Sequence, residues 1–578
     1  DVQRAVTGFN NKKHKSKKLK VSSNLTMDKT SFVLVKEFDK IKSAQEYINS
    51  YKASYEILDE YQDNKIYSIG IKNLKILIES SNFDEYKDHQ DIKYFATNHS
   101  FSKLENHPES LSKLKNVINE NEGDIYVIGH HQAHAANAFF SSNFDEALIF
   151  TIDGGGFETA NGGITSFTVW KGEGTKISPV HIFGINDVNI GGVWTRVTRY
   201  VFGLQSGWPR GHQAGTVMAM ACMGDGKKYF ADFYKMLTKD MAAASWKPPT
   251  QPRGANVGTD PKHPYLWRWA DIAKEGEQAQ FDLAAGLQAA TETYLRETLS
   301  MFVDNHKDVK NLCFAGGVTL NSVAMGKMLD WFPDKEYYVT PTPHDGGLTI
   351  GSAQYLWHHI LGNPRIKWED NYTPYLGCDH SGLVESTIES RKDDVEAEKV
   401  SDDDVLDLLD QQKIVAVFGG GSESGRRALG NRSILADPRD ANMKEIINEK
   451  VKHRQWFRPF APSILREETA NWFERDIDSP YMTHVIKFKE EVRDKVPAVV
   501  HFDGSARLQT VTENDNKWYY NFIKKWHTKS GVPVLLNTSF NDREPICETP
   551  EHAINCFLGT EIDYLYFYEQ GLLVKRRK

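Results

Sequence analysis

The sequence predicts an α/β fold, in which strands and helices alternate along the chain. Three observations support this class. Short apolar segments rich in β-branched residues occur at residues 125–128, 147–152, 312–315 and 337–339. Three of these segments run into glycines, and a helical pattern follows each of the segments at residues 312–315 and 337–339. A new apolar segment at residues 414–418, which also ends in glycines, indicates a second α/β unit.

The remaining elements follow in order. In the first unit, one helix is expected to reach Met328 and a later one to reach His359. In the second unit, further strands are expected at residues 532–536 and 562–567. Ligands of α/β folds bind at the carboxyl ends of the strands, where glycines allow close approach and helix N-termini favour anions. The glycine-rich strand ends are therefore candidate phosphate-binding turns.

Length and composition limit the class of protein. A chain of 578 residues exceeds one hydrophobic core, so two or more domains are expected. The net charge of −8 argues against a surface that binds nucleic acid throughout. No apolar run is long enough to span a membrane, and no secretory signal is recognisable. Five scattered cysteines without a CxxC pair indicate the cytoplasm, and they predict neither disulfides nor a cysteine-based zinc site.

Four side chains in the first unit form a candidate metal site. His130 and His134 are four residues apart, so in a helix both imidazoles lie on one face. Asp153 follows a predicted strand in a glycine turn, and Asp345 lies in an equivalent turn. Such ligands suit Fe, Mn or Zn, and ligand type alone does not choose among them. A single histidine would be read as a core residue, but four such residues at strand ends favour a metal site.

Glycine-rich turns beside these residues are candidate nucleotide contacts. The predicted nucleotide-binding residues of the first unit are Gly154, Gly316, Gly317, Asn321, Gly346 and Gly347. Gly215 is a weaker candidate for a phosphate contact. Each glycine pair on its own is weak evidence, because glycine pairs also mark plain turns.

The second unit contains a candidate anion site. Its candidate cations are Arg426, Arg427, Arg432, Lys450, Lys452, Arg454, Arg458 and Arg507. Asn537 and Ser539 follow an apolar strand, so they could donate to the same phosphates. Glycine, proline and aromatic residues are interleaved with these cations, which are not laid along one helix face. Arginine forks and a lysine point charge together suit a multiply charged phosphate. The alternative is a surface lattice of salt bridges with nearby acids.

Together and in order, these motifs resemble the NodU/CmcH-type O-carbamoyltransferases. The resemblance covers about residues 124–578 and rests on residues 130–135, 153–154, 315–321, 345–347, 427–433, 457–462 and 536–540. It implies an N-terminal actin-like (ASKHA) domain, related to tRNA threonylcarbamoyl transferases, and a C-terminal YrdC-like domain. We expect a flexible basic tail at residues 1–30, the actin-like domain at 31–365 and the YrdC-like domain at 372–578.

The resemblance also implies a chemistry. The two histidines and two aspartates would bind a metal, with iron the family expectation. In the YrdC-like domain, carbamoyl phosphate and ATP, with Mg²⁺, would yield carbamoyl-adenylate and pyrophosphate. By the same resemblance, this site would consist of the catalytic cations Arg427, Lys452, Arg458 and Arg507 and the substrate contacts Asn537 and Ser539. In the actin-like domain, an acceptor hydroxyl would take the carbamoyl group and AMP would leave. Keeping the labile intermediate away from water explains why both sites lie on one chain.

Two departures from the family pattern leave points open. The usual N-terminal Gly-His-Asp-Ser turn, whose histidine is a candidate general base, is not found in residues 1–120, so the base is unassigned. Residues 424–426 read Ser-Gly-Arg in place of Phe-Gly-Pro. Arg426 is therefore either an added anion contact or a surface residue.

Alternatives remain for the acceptor and the class. A sugar or antibiotic hydroxyl is the expected acceptor; a hydroxymethyl group on a nucleobase, in DNA or a nucleotide, stays open because of the lysine run at residues 12–20. Homodimer formation also stays open. A competing class is an actin-like sugar kinase or ATP-driven binding protein, which would need no second anion site. Threonylcarbamoylation of tRNA would need a basic RNA surface, which the net charge does not support.

Overall fold

The chain forms two α/β units, each built on its own mixed sheet. The computed structural model describes residues 20–25, 31–36, 94–97, 124–158, 163–206, 211–238, 264–368 and 371–577. Most of residues 1–123, including the lysine run up to residue 19 and most of the region searched for a general base, lies outside the described residues. The predicted α/β class is confirmed.

The first unit contains eleven described strands and eight described α-helices. Its strands are β1 (Lys20–Leu25), β2 (Ser31–Lys36), β3 (Tyr94–Thr97), β4 (Asp124–Val127), β5 (Glu146–Glu158), β6 (Gly163–Glu173), β7 (Lys176–Gly184), β8 (Gln205–Ser206), β9 (Gly211–His212), β10 (Asn311–Ala315) and β11 (Glu336–Val339). Its helices are α1 (His130–Phe140), α2 (Ile190–Arg196), α3 (Ala214–Ala221), α4 (Phe230–Thr238), α5 (Pro264–Ala273), α6 (Glu277–Asn305), α7 (Ser322–Trp331) and α8 (Leu348–Gln354).

The central sheet of this unit has the strand order β11-β10-β5-β6-β7. Strand β10 pairs in parallel with β5 and β11, whereas β5, β6 and β7 form an antiparallel meander. Alternate residues of β5 enter different cores: Leu148 and Phe150 pack on the α6 side, and Ala147 and Ile149 pack on the α1 side. Burial on both faces explains the continuous apolar pattern of this strand.

One sequence prediction needs correction at Asp153. This residue was expected in a turn after a strand that ends at Ile152, but β5 continues to Glu158. The pairing of β5 with β6 shifts register between Ile152 and Gly156, and Gly155 has a φ of +130°. The glycines therefore form a bulge, because β6 offers a partner beyond them and the strand can resume. The bulge turns Asp153 out of the regular ladder.

The second unit is built on nine strands and seven α-helices among the described residues. Its strands are β12 (Val395–Lys399), β13 (Val415–Phe418), β14 (Arg432–Ala436), β15 (Ala461–Leu465), β16 (His484–Lys487), β17 (Ser505–Val511), β18 (Val534–Ser539), β19 (Tyr564–Phe567) and β20 (Leu572–Arg576). Its helices are α9 (Val384–Ser390), α10 (Asp402–Asp410), α11 (Met443–Ile446), α12 (Thr469–Trp472), α13 (Glu490–Arg493), α14 (Lys517–Ser530) and α15 (Pro550–Gly559). The strand order is β12-β20-β19-β13-β14-β18-β15-β17-β16, and one large apolar core lies against this sheet.

The two units touch directly. Gly326 of α7 lies so close to β16 that a Cβ there would be 2.2 Å from the carbonyl oxygen of Val485. The rings of Phe281 and Phe457 meet edge to face, with centroids 5.7 Å apart. These contacts bring the carboxyl ends of the first sheet toward the second unit. Within the described residues, no helix combines the length and the apolar character that a membrane crossing requires.

Candidate functional site

The four predicted metal ligands come together; we call them the metal cluster. One ligand atom from each of His130, His134, Asp153 and Asp345 lies within 4.8 Å of the others. The Asp153 Oδ2 atom is 3.3 Å from His130 Nε2 and 3.0 Å from His134 Nε2. The Asp345 Oδ1 atom is 3.6 Å from both imidazoles. Two nitrogen and two oxygen donors that converge in this way fit a divalent transition metal.

Helix α1 holds both histidines, as the spacing predicted, and the helix itself is anchored at its start. The buried Glu158 Oε2 accepts hydrogen bonds from the backbone N–H groups of His131 (2.9 Å) and Gln132 (3.1 Å). A carboxylate at a helix N-terminus satisfies open donors and favours the helix dipole. Glu158 thus positions the ligand-bearing turn from the far end of the bulged strand.

His131 lies between the two ligands in sequence but faces elsewhere. Its Nδ1 is 2.6 Å from Thr151 Oγ1 and its Nε2 is 3.1 Å from the carbonyl oxygen of Thr165. Burial, together with the neighbouring His130 and His134, holds the pKa of His131 well below its usual value. A neutral His131 therefore ties the helix to the sheet and adds no positive charge beside the metal cluster.

Asp153 is charged in spite of its burial. Burial on its own raises the pKa of this carboxyl group, but hydrogen bonds from His130 and His134 outweigh it and hold the pKa well below the usual range. The carboxylate is also oriented by the backbone N–H of Gly154, which donates to Asp153 Oδ1 at 2.6 Å. Asp153 is therefore available as an anionic ligand at neutral pH.

The predicted glycines line the same edge of the sheet. Gly316 has a φ of +94°, and a Cβ there would lie 2.2 Å from the carbonyl oxygen of Ile152. A Cβ on Gly317 would lie 3.1 Å from Asp153 Oδ1, and one on Gly347 would lie 2.1 Å from the carbonyl oxygen of Thr342. Gly346 follows Asp345 in the same turn. The absence of side chains here keeps the turns packed tightly around the metal cluster.

Asn321 has two partners within the protein. Its side chain accepts a hydrogen bond from the backbone N–H of Ala324 and so caps α7. The same amide exchanges hydrogen bonds with the buried side chain of Gln288, at 2.8 and 3.1 Å. The structure thus places Asn321 at the start of α7, and its predicted role in nucleotide binding stays a prediction.

The predicted cations of the second unit also come together, and Arg454 joins them. We call this group the arginine pocket; it consists of Arg427, Lys452, Arg454, Arg458 and Arg507. Burial lowers the pKa of every member, and mutual repulsion lowers most of them further. Among the described residues, none of the five forms a salt bridge with a carboxylate. The predicted alternative, a surface lattice of salt bridges, does not fit this arrangement.

The lowered arginine pKa values reflect the burial of neighbouring positive charges in the free pocket. Burial lowers the pKa of Arg458 to about 10, and burial with repulsion from Arg454 and Arg458 lowers that of Arg507 to about 10. Both guanidinium groups keep their charge at neutral pH. The lowered values therefore record an unfavourable energy in the free pocket, which a bound phosphate would relieve.

Lys452 is held in a cradle of oxygens. Its Nζ contacts the carbonyl oxygen and Oγ of Ser539 at 2.9 and 3.2 Å, and the carbonyl oxygen and Oδ1 of Asn541 at 2.5 and 2.6 Å. These acceptors favour the ammonium form. Burial, with repulsion from Arg454, outweighs them and lowers the pKa of Lys452 to about 7. The charge of this lysine is therefore sensitive to pH near neutrality.

Asn537 lies behind the pocket and connects three segments. Its Nδ2 donates to the carbonyl oxygen of Ala428 (3.1 Å), to Ser463 Oγ (3.0 Å) and to Gln509 Oε1 (2.9 Å). The residue is 1% exposed. Asn537 therefore fixes the relative position of the pocket's strands, whereas Ser539 faces Lys452 directly.

The two sites are connected across the interface between the units. Arg458 Nη1 donates to Thr216 Oγ1 of α3 at 2.5 Å. Arg426, next to Arg427 on the chain, interacts electrostatically with both Asp153 and Arg427. Its loop is packed against the loop that leads to Asp345, because a Cβ on Gly425 would lie 2.3 Å from the carbonyl oxygen of Pro341. The metal cluster and the arginine pocket thus belong to one composite site.

Sequence reasoning missed three residues of this site. Thr216 lies beside the weak candidate Gly215, but only the approach of Arg458 gives it a role. Arg454 was noted as a cation near residue 458 but not assigned to the site. Glu158 is distant from the histidines in sequence, and the signal that could have found it is the open N-terminus of α1, which lacks an acidic residue of its own.

Two family models match the chain. The model described as "Carbamoyltransferase N-terminus" matches residues 13–354, and the one described as "Carbamoyltransferase C-terminus" matches residues 406–575. The first model alone covers more than half of the chain.

Curated relatives agree with this result. Nodulation protein NolNO of Sinorhizobium fredii is 34% identical over 472 residues, which make up 78% of this chain and 64% of the relative. Nodulation protein NolO of Bradyrhizobium diazoefficiens is 35% identical over 457 residues, or 76% of this chain and 77% of the relative. Nodulation protein U of Sinorhizobium fredii is 33% identical over 274 residues, or 47% of each chain.

Solved structures overlap less. A structure of HypF in a phosphate- and nucleotide-bound form aligns with 58% of this chain and 44% of its own, at a TM-score of 0.27 and 12% identity. An overlap of this size supports no inference.

Proposed function

The chain belongs to the carbamoyltransferase family, and from that premise we propose that it is an ATP-dependent O-carbamoyltransferase that uses carbamoyl phosphate. In this proposal, residues 372–578 activate the carbamoyl group and residues 31–365 transfer it. One observation supports the proposal most strongly. Five cations, none of which forms a salt bridge with a carboxylate among the described residues, share one pocket, and Arg426 interacts electrostatically with both Arg427 of this pocket and Asp153 of the metal cluster.

The proposed first step takes place in the arginine pocket. Water hydrolyses carbamoyl phosphate to carbamate and inorganic phosphate, and a carbamate oxygen then attacks the α-phosphorus of ATP. The bond from this phosphorus to the bridging oxygen breaks, so that carbamoyl-adenylate forms and pyrophosphate leaves. Arg427, Arg458 and Arg507 would neutralise the phosphate charges, and Mg²⁺ would accompany the nucleotide. The repulsion among the cations supports this role, because it is relieved only when anions bind.

The proposed second step takes place beside the metal cluster. The acceptor oxygen attacks the carbamoyl carbon, the bond to the adenylate oxygen breaks, and AMP leaves. Glycines in the bulge of β5 and at the carboxyl end of β10 would let the nucleotide approach the backbone there. The acceptor proton passes to a base that is not assigned among the described residues.

The metal cluster fits a divalent transition metal, and iron is the proposed ion. His130, His134, Asp153 and Asp345 would hold it, since their donor atoms already converge. When bound, the ion supplies Lewis acidity toward a phosphate or carbonyl oxygen. Glu158 and His131 keep the ligand-bearing helix in place independently of the ion.

The proposed acceptor is the hydroxyl group of a sugar or antibiotic-type small molecule. A hydroxymethylated nucleobase is the second acceptor class to test, although the lysine run that suggested it lies outside the described residues. A cytoplasmic location and a homodimer stay predictions.

The deciding experiment measures pyrophosphate and AMP release from ATP with and without carbamoyl phosphate. We expect pyrophosphate release that depends on carbamoyl phosphate. A panel of hydroxyl acceptors, including hydroxymethylated DNA, is then screened by mass spectrometry for the added carbamoyl mass. Hydrolysis of ATP to ADP without pyrophosphate would contradict the adenylate route and favour the kinase-like class.

A further inference from the structure

A second group of metal-ligand side chains lies in the C-terminal unit; we call it the thiol cluster. Ligand atoms of Glu544, Cys547 and Cys556 all lie within 4.8 Å of one another. The two cysteines are 1% and 7% exposed, whereas Glu544 is exposed. The sequence predicted no cysteine-based zinc site, because no CxxC pair occurs. The fold nevertheless brings the two distant thiols together.

Helix α15 and the loop before it create this arrangement. Cys547 Sγ donates to the carbonyl oxygen of His552 in the first turn of α15, at 3.4 Å. Cys556 lies one turn later on the same helix, and its Sγ is within 4.8 Å of the ligand atoms of Cys547 and Glu544. The cluster is therefore a contact between a helix face and one loop.

The carboxylate of Glu544 is already oriented. Its two oxygens accept hydrogen bonds from the backbone N–H groups of Asp542 (2.9 Å) and Arg543 (3.0 Å). Such bonds limit the rotation of the side chain, and each carboxylate oxygen keeps a further lone pair that can bind a metal ion. Two soft donors and one hard donor thus face one point, partly shielded from water.

We propose that Glu544, Cys547 and Cys556 bind one borderline divalent cation of the Zn²⁺ class, with water in the fourth position. Thiolates bind Zn²⁺ at about 2.3 Å, so two thiolates on one tetrahedral ion lie about 3.8 Å apart, a spacing compatible with the observed cluster. Each thiol loses its proton to solvent when the ion binds. Binding therefore strengthens as the pH rises.

The ion would also stabilise the floor of the arginine pocket. Asn541 Nδ2 donates to the carbonyl oxygen of Glu544 at 2.6 Å, and the other atoms of Asn541 hold Lys452. Fixing Glu544 therefore fixes the loop that cradles Lys452. This consequence rests on the proposed function, whereas the metal site itself does not.

The test uses Cd²⁺, which reports thiolate ligands through an ultraviolet charge-transfer band. The full chain is reduced, treated with a chelator and titrated with Cd²⁺ without ATP or carbamoyl phosphate. We expect a band that saturates with the amplitude of one thiolate-bound Cd²⁺ per chain in both the wild type and His134→Ala, since the metal cluster contains no thiol and gives no such band. The band should disappear in Cys547→Ser and Cys556→Ser and persist in the matched controls Cys222→Ser and Cys378→Ser.

Because buried cysteine variants can misfold, Glu544→Gln provides a second reading on an exposed side chain. It should weaken Cd²⁺ binding about tenfold or more while the thermal transition stays unchanged. No thiolate band in the reduced wild type, a band that survives both cysteine variants, or an unchanged affinity in Glu544→Gln would overturn the proposal. Carbamoyl-phosphate-dependent pyrophosphate release is measured separately, so failure of the metal site and failure of the proposed function can be told apart.

Discussion

The metal cluster and the arginine pocket lie side by side but have opposite electrostatics. In the metal cluster, Asp153 already contacts both histidines, and these contacts hold its pKa down. In the arginine pocket, Arg427 and Arg507 repel each other, and no described carboxylate pairs with either. One site is satisfied before any ligand binds, whereas the other carries an unfavourable energy until anions arrive.

This difference indicates how the two units would divide the proposed reaction between them. A preassembled ligand set keeps its geometry through every turnover, which suits a site that holds an ion permanently. A pocket of mutually repelling cations binds multiply charged anions strongly. It binds the separate, less charged products of the reaction more weakly. Attraction in the first unit and repulsion in the second therefore suit the proposed functions, a retained metal and exchanging phosphates.

Removal of one pocket cation should have the largest effect. We expect Arg458→Ala to lower carbamoyl-phosphate-dependent pyrophosphate release by on the order of 10²–10³-fold, because a fixed guanidinium no longer neutralises the transferring phosphates. A discontinuous assay that measures pyrophosphate at fixed times checks this rate. Arg458→Lys is the matched control, since it keeps the positive charge but loses the guanidinium group that can bind a phosphate through two parallel hydrogen bonds. A wild-type rate in Arg458→Ala would show that the pocket is not the site of activation.

Loss of a ligand in the metal cluster should separate the two steps. We expect His134→Ala to retain pyrophosphate release and to lower carbamoyl transfer to the acceptor by about 100-fold or more, because the helix still folds but one donor is missing. Metal content and transfer are measured on the same sample. If pyrophosphate release fell in parallel with transfer, the assignment of one step to each unit would be wrong.

The affinity of the arginine pocket for carbamoyl phosphate should change with pH as Lys452 loses its proton. Its pKa of about 7 means that the free pocket loses one positive charge as the pH rises through neutrality. The KM for carbamoyl phosphate should therefore rise above pH 7, approaching about tenfold per pH unit. Lys452→Arg should flatten this profile, because arginine stays charged. Equal profiles for the two proteins would exclude Lys452 as the titrating group.

Lys452 also predicts a trend in stability. Its pKa is about 7 in the folded protein and 10.5 in the reference state, so the unfolded chain binds more protons between these values. Its contribution to the free energy of unfolding therefore increases as the pH rises from 7 toward 10.5, and it is constant and unfavourable below pH 7. Denaturant unfolding of wild type and Lys452→Met across this range checks the sign.

The smallest effects compare stability at the two sites. Glu158→Gln should lower the free energy of unfolding by about 1–2 kcal/mol, because the charged acceptor at the start of α1 is lost. Arg507→Ala should leave it unchanged or raise it by up to about 1 kcal/mol, because one repelling cation is removed. Thermal unfolding without ligands measures both. A clear loss of stability in Arg507→Ala would contradict the idea of a strained pocket.

Much of the fold could be predicted from local patterns. The segments expected at residues 312–315, 414–418 and 562–567 correspond to β10, β13 and β19 within two residues, because buried strands carry continuous apolar runs between glycines. The shared helix face of His130 and His134 followed from a spacing of four residues. The bulge at Asp153 did not follow, because it depends on where β6 pairs again after the glycines.

The sequence by itself determined the α/β class, the family resemblance and the residue types of both candidate sites. Each of these depends on short-range periodicity or on motifs within a few residues. Tertiary structure alone decided that Glu158 anchors α1, that Thr216 meets Arg458, and that Cys547 faces Cys556. These contacts depend on how helices and strands pack across the units. Packing follows the shape and burial of whole elements, and no local pattern encodes it.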